Sequence, residues 1–308
     1  MRTTAKTWLV AGAYASLLGV GLFFIASQGA AYRYSMPLNP PEWELPCVSN
    51  NNRGNQDGSF IKCNGSDPNG FPRSIFLLGD SHAVPLAFPL RDVAKGNGMD
   101  LFYPNRSLST DYGAYPYSFL ETQVVSDELI EYVLNHSNPG DYFITTLHRG
   151  RLNPSRDSHI SIDVDLAGQS ARAETFEANM MHFLPMLGKA GLRVYLVKDP
   201  PLLPNAMKSI SECMYQFSER LASSCAIDLE QDLHTRAQLD EVFDKLDAAF
   251  SFVQAVDPAR DLFHENVFTP IDSNGQYRMI DKHHLSEYGA MELTPFFNRI
   301  VKPTSNDG

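Results

Sequence analysis

The sequence predicts an α/β protein: a three-layer α/β/α sandwich on a mostly parallel sheet, preceded by one N-terminal transmembrane helix. Three observations carry that expectation. Short apolar runs, several of them β-branched, alternate with longer amphipathic stretches from residue 74 onward. The spacing between runs leaves room for a crossover helix each time, as parallel strands require. Upstream, Trp8 to Ser27 is almost continuously apolar, and no charged residue occurs from Thr7 to Tyr32. About 20 such residues span a bilayer as a helix.

The elements follow in order. Ser74–Leu78 has the length and composition of a buried strand. His82–Lys95 reads as a helix with Pro85 in its tolerant first turn, while Pro89 is expected to kink or shorten it. Asp100–Tyr103 is a second strand. Ser126–Asn135 is a helix with Ser126 as N-cap and Leu129, Val133 and Leu134 on its apolar side. Asp141–Leu147 is a third strand. Ala171–Lys189 is a helix burying Phe176, Met180, Phe183 and Leu187, and Gly191 links it to the strand Leu192–Val197. Asp228–Val256 reads as one long helix with Leu233, Leu239, Phe243, Leu246 and Phe250 inward. Asp261–Phe263 is expected as the fifth strand and Glu287–Ile300 as the closing helix.

This divides the chain into a membrane anchor over 1–32, a linker and lead-in over 33–72, and a catalytic domain over 73–304. Arg2 and Lys6 precede the apolar segment, which favours a cytoplasmic N-terminus and an outward-facing remainder. A cleaved signal peptide ending near Ser27-Gln28-Gly29 is the other reading. Four cysteines suit an oxidising compartment. Three pairings are open to them; neighbour pairing, Cys47 with Cys63 and Cys213 with Cys225, is the simplest, and four unpaired buried thiols is the alternative. The chain has 308 residues and a formal charge of −11, with no basic patch to track phosphates. Nucleic acid is therefore not an expected partner.

Two strings separated by 200 residues carry the chemistry. Gly79-Asp80-Ser81-His82 ends the first strand, and Asp281-Lys282-His283-His284-Leu285-Ser286 precedes the closing helix. A hydroxyl needs a base to attack an acyl carbon at neutral pH, and that base works best in a fixed tautomer. Ser81, His284 and Asp281 supply nucleophile, base and orienter in the order Ser, Asp, His. The first strand's carboxyl end is where an open α/β sheet places its site. Asp80 and His82 read as braces for the turn, and His283 is a competitor to His284 that lacks the three-residue offset from Asp281. His148 and Arg149, after the third strand, are candidates to hold an oxyanion or a sugar hydroxyl. Tyr103, Tyr112, Tyr115 and Tyr117 form an aromatic cluster of the kind on which sugars stack, though a packed surface loop is the commoner explanation. The histidines are scattered in sequence, so no metal and no cofactor are expected.

These strings resemble the SGNH hydrolase superfamily, whose first block is Gly-Asp-Ser and whose last is Asp-x-x-His. The chain is most similar to the periplasmic SGNH domain fused to membrane acyltransferases of the acyltransferase-three family, which O-acetylate bacterial surface polysaccharides. Gly79-Asp80-Ser81-His82-Ala83, Asp281-x-x-His284-Leu285-Ser286-x-x-Gly289-Ala290 and Val197-Lys198-Asp199-Pro200-Pro201 carry the likeness, and Ser27 to Arg33 resembles the exit from that family's last membrane helix. No Gly-x-Asn-Asp block occurs; Thr145 to Arg151 stands in its place, and Gly113 is the candidate for the second-block glycine. The family's multi-helix acyl-carrying domain is not in this sequence, so it is expected either to be encoded separately or to belong to a larger protein of which this is a piece.

The resemblance implies an O-acetyltransferase acting outside the cytoplasm, single-pass in a bacterial membrane. It would take an acetyl donor delivered by a multi-helix membrane acyltransferase and pass the acetyl group to a glycan acceptor. A carbohydrate acetyl esterase using the same triad, and a non-catalytic glycan-binding or scaffold domain of the envelope, are the rival expectations.

Overall fold

The structure, a computed structural model, describes residues 48–49, 52–53, 56–57, 60–63, 72–104, 123–152, 166–203, 210 and 225–301. The chain divides by internal contacts into 1–41 and 42–308, and every described residue belongs to the second unit. The expected membrane helix lies outside the described residues. Among the described residues no helix is long and apolar enough to cross a membrane.

The strands are β1 (Val48–Ser49), β2 (Asn52–Arg53), β3 (Gln56–Asp57), β4 (Phe60–Lys62), β5 (Arg73–Gly79), β6 (Met99–Pro104), β7 (Tyr142–Thr146), β8 (Arg193–Val197), β9 (Ile227–Asp228), β10 (Val253–Val256) and β11 (Val267–Phe268). The helices are α1 (Ala83–Gly96), α2 (Gln123–His136), α3 (Leu166–Lys189), α4 (Leu229–Ala249), α5 (Ala259–Leu262), α6 (Glu287–Met291) and α7 (Thr294–Ile300). The main sheet has the order β10-β8-β7-β5-β6-β4-β3. From β10 to β6 all pairs are parallel; β4 and β3 close the edge antiparallel.

Both faces of the sheet are covered, which is why its strands read as continuous apolar runs rather than alternating ones. Along β5, Ile75 and Leu77 pack on one side with Leu86, Leu90 and Phe297. Phe76 and Leu78 pack on the other with Ile130, Phe183 and Phe243. One layer is therefore α1 with the terminal helices, and the opposite layer is α2, α3 and α4. The expected three-layer α/β sandwich with a mostly parallel sheet is present.

Five expectations are corrected. Residues 33–72 are not only a lead-in, because β3 and β4 extend the sheet and Phe60 and Ile61 are buried in its core. The long helix ends at Ala249, and the fifth parallel strand is Val253–Val256, paired to β8. No glycine or proline marks that break, and the apolar positions at 246, 250, 252 and 253 blur a helical period into a strand. Asp261–Phe263, expected as that strand, instead overlaps the short helix α5. Leu233 is exposed rather than inward. Pro89 does not end α1, which runs on to Gly96.

Cys63 and Cys225 are each disulfide-bonded. Cys47 and Cys213 lie outside the described residues, so the pairing remains an expectation.

Candidate active site

The site lies at the carboxyl ends of the parallel strands, where β5, β7 and β8 hand over to loops. β5 ends on Gly79, whose φ of +149° is open to glycine but rarely to other residues. A Cβ there would come within 2.6 Å of the Thr146 carbonyl oxygen on β7. The chain can thus turn tightly against its neighbour strand. Asp80, Ser81 and His82 form the turn, closed by Ala83 N–H donating to the Asp80 carbonyl at 3.0 Å, and α1 follows.

Asp80 is buried and acts as a clamp. One carboxylate oxygen accepts from His82 N–H at 2.9 Å, and the other accepts from His148 N–H at 2.8 Å, on the loop after β7. Burial raises its pKa, only partly offset by the His148 charge and these two amides. The nucleophile turn and the third strand's loop are locked together through this side chain, as a brace rather than a reactant.

His284 arrives from the other end of the chain. Ile280 N–H donates to the His284 carbonyl, and Leu203 N–H donates to the Lys282 carbonyl, which pins the loop beside the segment after β8. Ser286 caps α6, accepting from Gly289 N–H at 2.9 Å. Gly289 is required there, since a Cβ would lie 2.0 Å from the Arg278 carbonyl oxygen. Held this way, His284 Nε2 lies 2.8 Å from Ser81 Oγ, and Nδ1 lies 2.6 Å from an Asp281 carboxylate oxygen. A carboxylate only accepts, so Nδ1 carries the proton and Nε2 offers its lone pair to the serine O–H. Asp281 also accepts from the His283 and His284 amides at 2.9 and 2.8 Å. Burial opposes ionisation of Asp281, but the hydrogen bond and charge of His284 outweigh it, and its pKa falls below the usual carboxylate range.

Behind the serine turn stands a buried network. Asp199 follows β8, and one of its oxygens accepts from His82 Nδ1 at 2.6 Å. The other accepts from Arg149 Nε at 2.7 Å and Arg149 N–H at 3.0 Å. Burial works against the Asp199 charge, yet His82 and Arg149 hold its pKa well below the usual range. His82 moves the same way: burial and His148 lower its pKa well below that of a free imidazole, against the pull of Asp199.

Arg149 does not serve as an oxyanion or substrate residue. Its remaining nitrogens donate to Asp232 Oδ1 at 2.8 Å, Thr235 Oγ1 at 2.7 Å and the Pro200 carbonyl at 2.6 Å, which commits the fork inside the protein. It ties the loop after β7 to α4. Gly113 lies outside the described residues, as do Tyr112, Tyr115 and Tyr117. Tyr103 is buried in the core and offers no sugar-stacking face.

The histidines, scattered in sequence, are gathered in space. His82 stacks on His148 with centroids 4.1 Å apart, and His283 stacks on His148 at 5.1 Å. His283 and His284 lie 3.9 Å apart. Burial and the neighbouring His284 push the His283 pKa down to about 3. Two sets bring their ligand atoms within 4.8 Å of one another: His82, His283 and His284, and His82, His148 and Asp199. The roles of Asp199, Asp232 and Thr235 were not assigned from sequence. Asp199 carried a usable signal, since it follows a predicted strand at the same sheet edge as Ser81.

A family model described as "SGNH domain (fused to AT3 domains)" matches residues 46–299. No curated protein matches the chain. A domain of this kind supports acyl-ester chemistry, by transfer or by hydrolysis.

Proposed function

Because this chain belongs to the SGNH family of the type fused to AT3 domains, we propose that it is an O-acetyltransferase passing an acetyl group through Ser81 to a glycan outside the cytoplasm. The observation that carries the reading is the relay Ser81 Oγ to His284 Nε2 to Asp281, at 2.8 and 2.6 Å, assembled from residues 203 apart. The Ser81 proton passes to His284 Nε2 as Oγ bonds to the acyl carbon of the donor. The tetrahedral oxyanion collapses, the donor's leaving group departs with the proton from His284, and acetyl-Ser81 remains. A sugar hydroxyl then gives its proton to His284 and attacks the same carbon. Collapse of the second tetrahedral species releases the O-acetyl glycan, and Ser81 recovers its proton. Asp281 holds the Nδ1–H tautomer and stabilises the imidazolium that forms twice. The Ser81 amide, which donates to no described acceptor at the start of the turn, is suited to the oxyanion.

The donor fits delivery by a multi-helix membrane acyltransferase, and residues 1–32 fit a single-pass anchor with the catalytic domain in the periplasm. Ser81 is partly exposed, so water can also reach the acyl-enzyme, and acetyl esterase activity is the second reading. The test offers the full chain, in detergent, an aryl acetate ester with and without an oligosaccharide acceptor. Transfer predicts that acceptor diverts acetyl from acetate to acetylated sugar. An acetate yield unmoved by acceptor leaves the esterase, and no turnover at all removes both.

A further inference from the structure

We propose that His82, His283 and His284 form a site for a divalent transition-metal ion of the zinc type, whose binding takes the catalytic imidazole away from Ser81. One ring nitrogen of each histidine lies within 4.8 Å of the other two. Three imidazoles with an open fourth position match a common zinc arrangement, in which Zn–N distances of about 2.0–2.1 Å leave the nitrogens roughly 3.4 Å apart. The rings need to close by about an ångström, which is within the reach of a loop-borne His283 and His284.

Two further observations point to a ligand. His82 is 1% exposed, its Nδ1–H is held by Asp199 at 2.6 Å, and its Nε2 has no hydrogen-bond partner among the described residues. His284 repeats the pattern: Asp281 holds its Nδ1 at 2.6 Å, and Nε2 faces Ser81. A carboxylate behind one ring nitrogen, fixing the tautomer and aiming the other, is how proteins prepare histidines for a metal. Here two of three rings are so prepared. Soft or borderline ions that prefer imidazole are selected over magnesium or calcium, which take oxygen ligands.

The neighbouring set of His82, His148 and Asp199 is a poorer site. Asp199 has no exposed side-chain surface and is already committed to His82 and Arg149. The His283 and His284 side chains are 23% and 12% exposed, so an ion has a path from solvent. An ion bound to His284 Nε2 replaces the hydrogen bond from Ser81, so metal occupancy and acylation exclude each other. The binding claim stands apart from the acyl-transfer reading; only the inhibition rests on it.

The experiment uses the full chain freed of metal by chelator. Equilibrium dialysis with Zn2+ alone should show one ion per chain, weakened about 10-fold or more in both His283→Ala and His284→Ala but retained in Ser81→Ala. Co2+ should give the intense visible bands of a tetrahedral site, which Zn2+ abolishes. Zn2+ should also stop ester turnover reversibly, with activity restored by chelator. Absence of stoichiometric uptake, unchanged affinity in both histidine variants, or weak octahedral Co2+ bands overturns the site. Zinc that binds without inhibiting overturns its placement at His284. If metal-free enzyme shows no turnover, the acyl-transfer reading fails while the dialysis result still decides the site.

Discussion

The two halves of the reactive centre are built in opposite ways. The serine side stands on strand ends and is over-determined: Asp80 and Asp199 have no exposed side-chain surface, Arg149 is 5% exposed, and each hydrogen-bonds more than one partner. The histidine side rides on an irregular loop, with Asp281 42% and His284 12% exposed and held largely by its own backbone amides. The rigid half fixes where the nucleophile points. The looser half carries the groups that, in the proposed mechanism, exchange protons with donor and acceptor, and both reach the surface. Substitutions should therefore separate chemistry from stability according to which half they touch.

The largest effect is expected on chemistry alone. Ser81→Ala or His284→Ala should lower ester turnover by about 10^3-fold or more, with a thermal midpoint close to wild type. A comparable fall in midpoint would mean that the loop is structural, and the contrast fails. Asp281→Asn comes next. It allows the wrong tautomer of His284, and a loss of roughly 10^2–10^4-fold in kcat is expected. Because Asp281 is half in solvent, its melting temperature should move little.

Arg149→Met tests the opposite half. Removing the guanidinium leaves Asp199 a buried carboxylate without its cation and takes one of two from Asp232, which keeps Arg236, at a cost of about 3–5 kcal/mol. Calorimetry should show a midpoint lower by roughly 10 °C, whatever happens to activity. A midpoint unchanged from wild type would show that the network is not what rigidifies the serine side.

The smallest effect concerns Asp240 on α4, outside the site. Its side chain is 13% exposed, and burial outweighs the pull of Arg236 and Lys198, raising its pKa to about 6. The folded state therefore binds this proton more tightly than the unfolded chain, where the carboxyl titrates near 3.8. This group's contribution to stability is fullest below about pH 4 and is lost as pH rises through about 6, by no more than roughly 3 kcal/mol. The stability difference between Asp240→Asn and wild type should change across that window and stay flat above it. A difference independent of pH would remove the assignment.

Much of this was legible in the chain because its causes are local. Ile75–Leu78 and Tyr142–Thr146 are buried on both faces and read as unbroken apolar runs, and Gly79-Asp80-Ser81 announces its own turn. Asp281 and His284 are three residues apart, so their contact needed no knowledge of the fold. What was not legible depends on tertiary partners. β10 is a strand because β8 lies beside it, while its own residues continue the apolar period of α4. From sequence Arg149 reads either as an oxyanion or sugar donor or as a solvated strand-end residue; only Asp199, Asp232 and Thr235, from 50 to 86 positions away, convert it into a brace. The histidine cluster is the same case, since nothing in the spacing of 82, 148 and 283 brings those rings together.

The acyl-enzyme decides the central claim most directly. The full chain should be exposed briefly to an activated acetyl ester, quenched in acid, digested and mapped by mass spectrometry. One acetyl group on the peptide containing Ser81, absent from Ser81→Ala and accumulating in His284→Ala far more slowly, is the predicted result. Acetylation confined to other residues, or equal in wild type and Ser81→Ala, would contradict it.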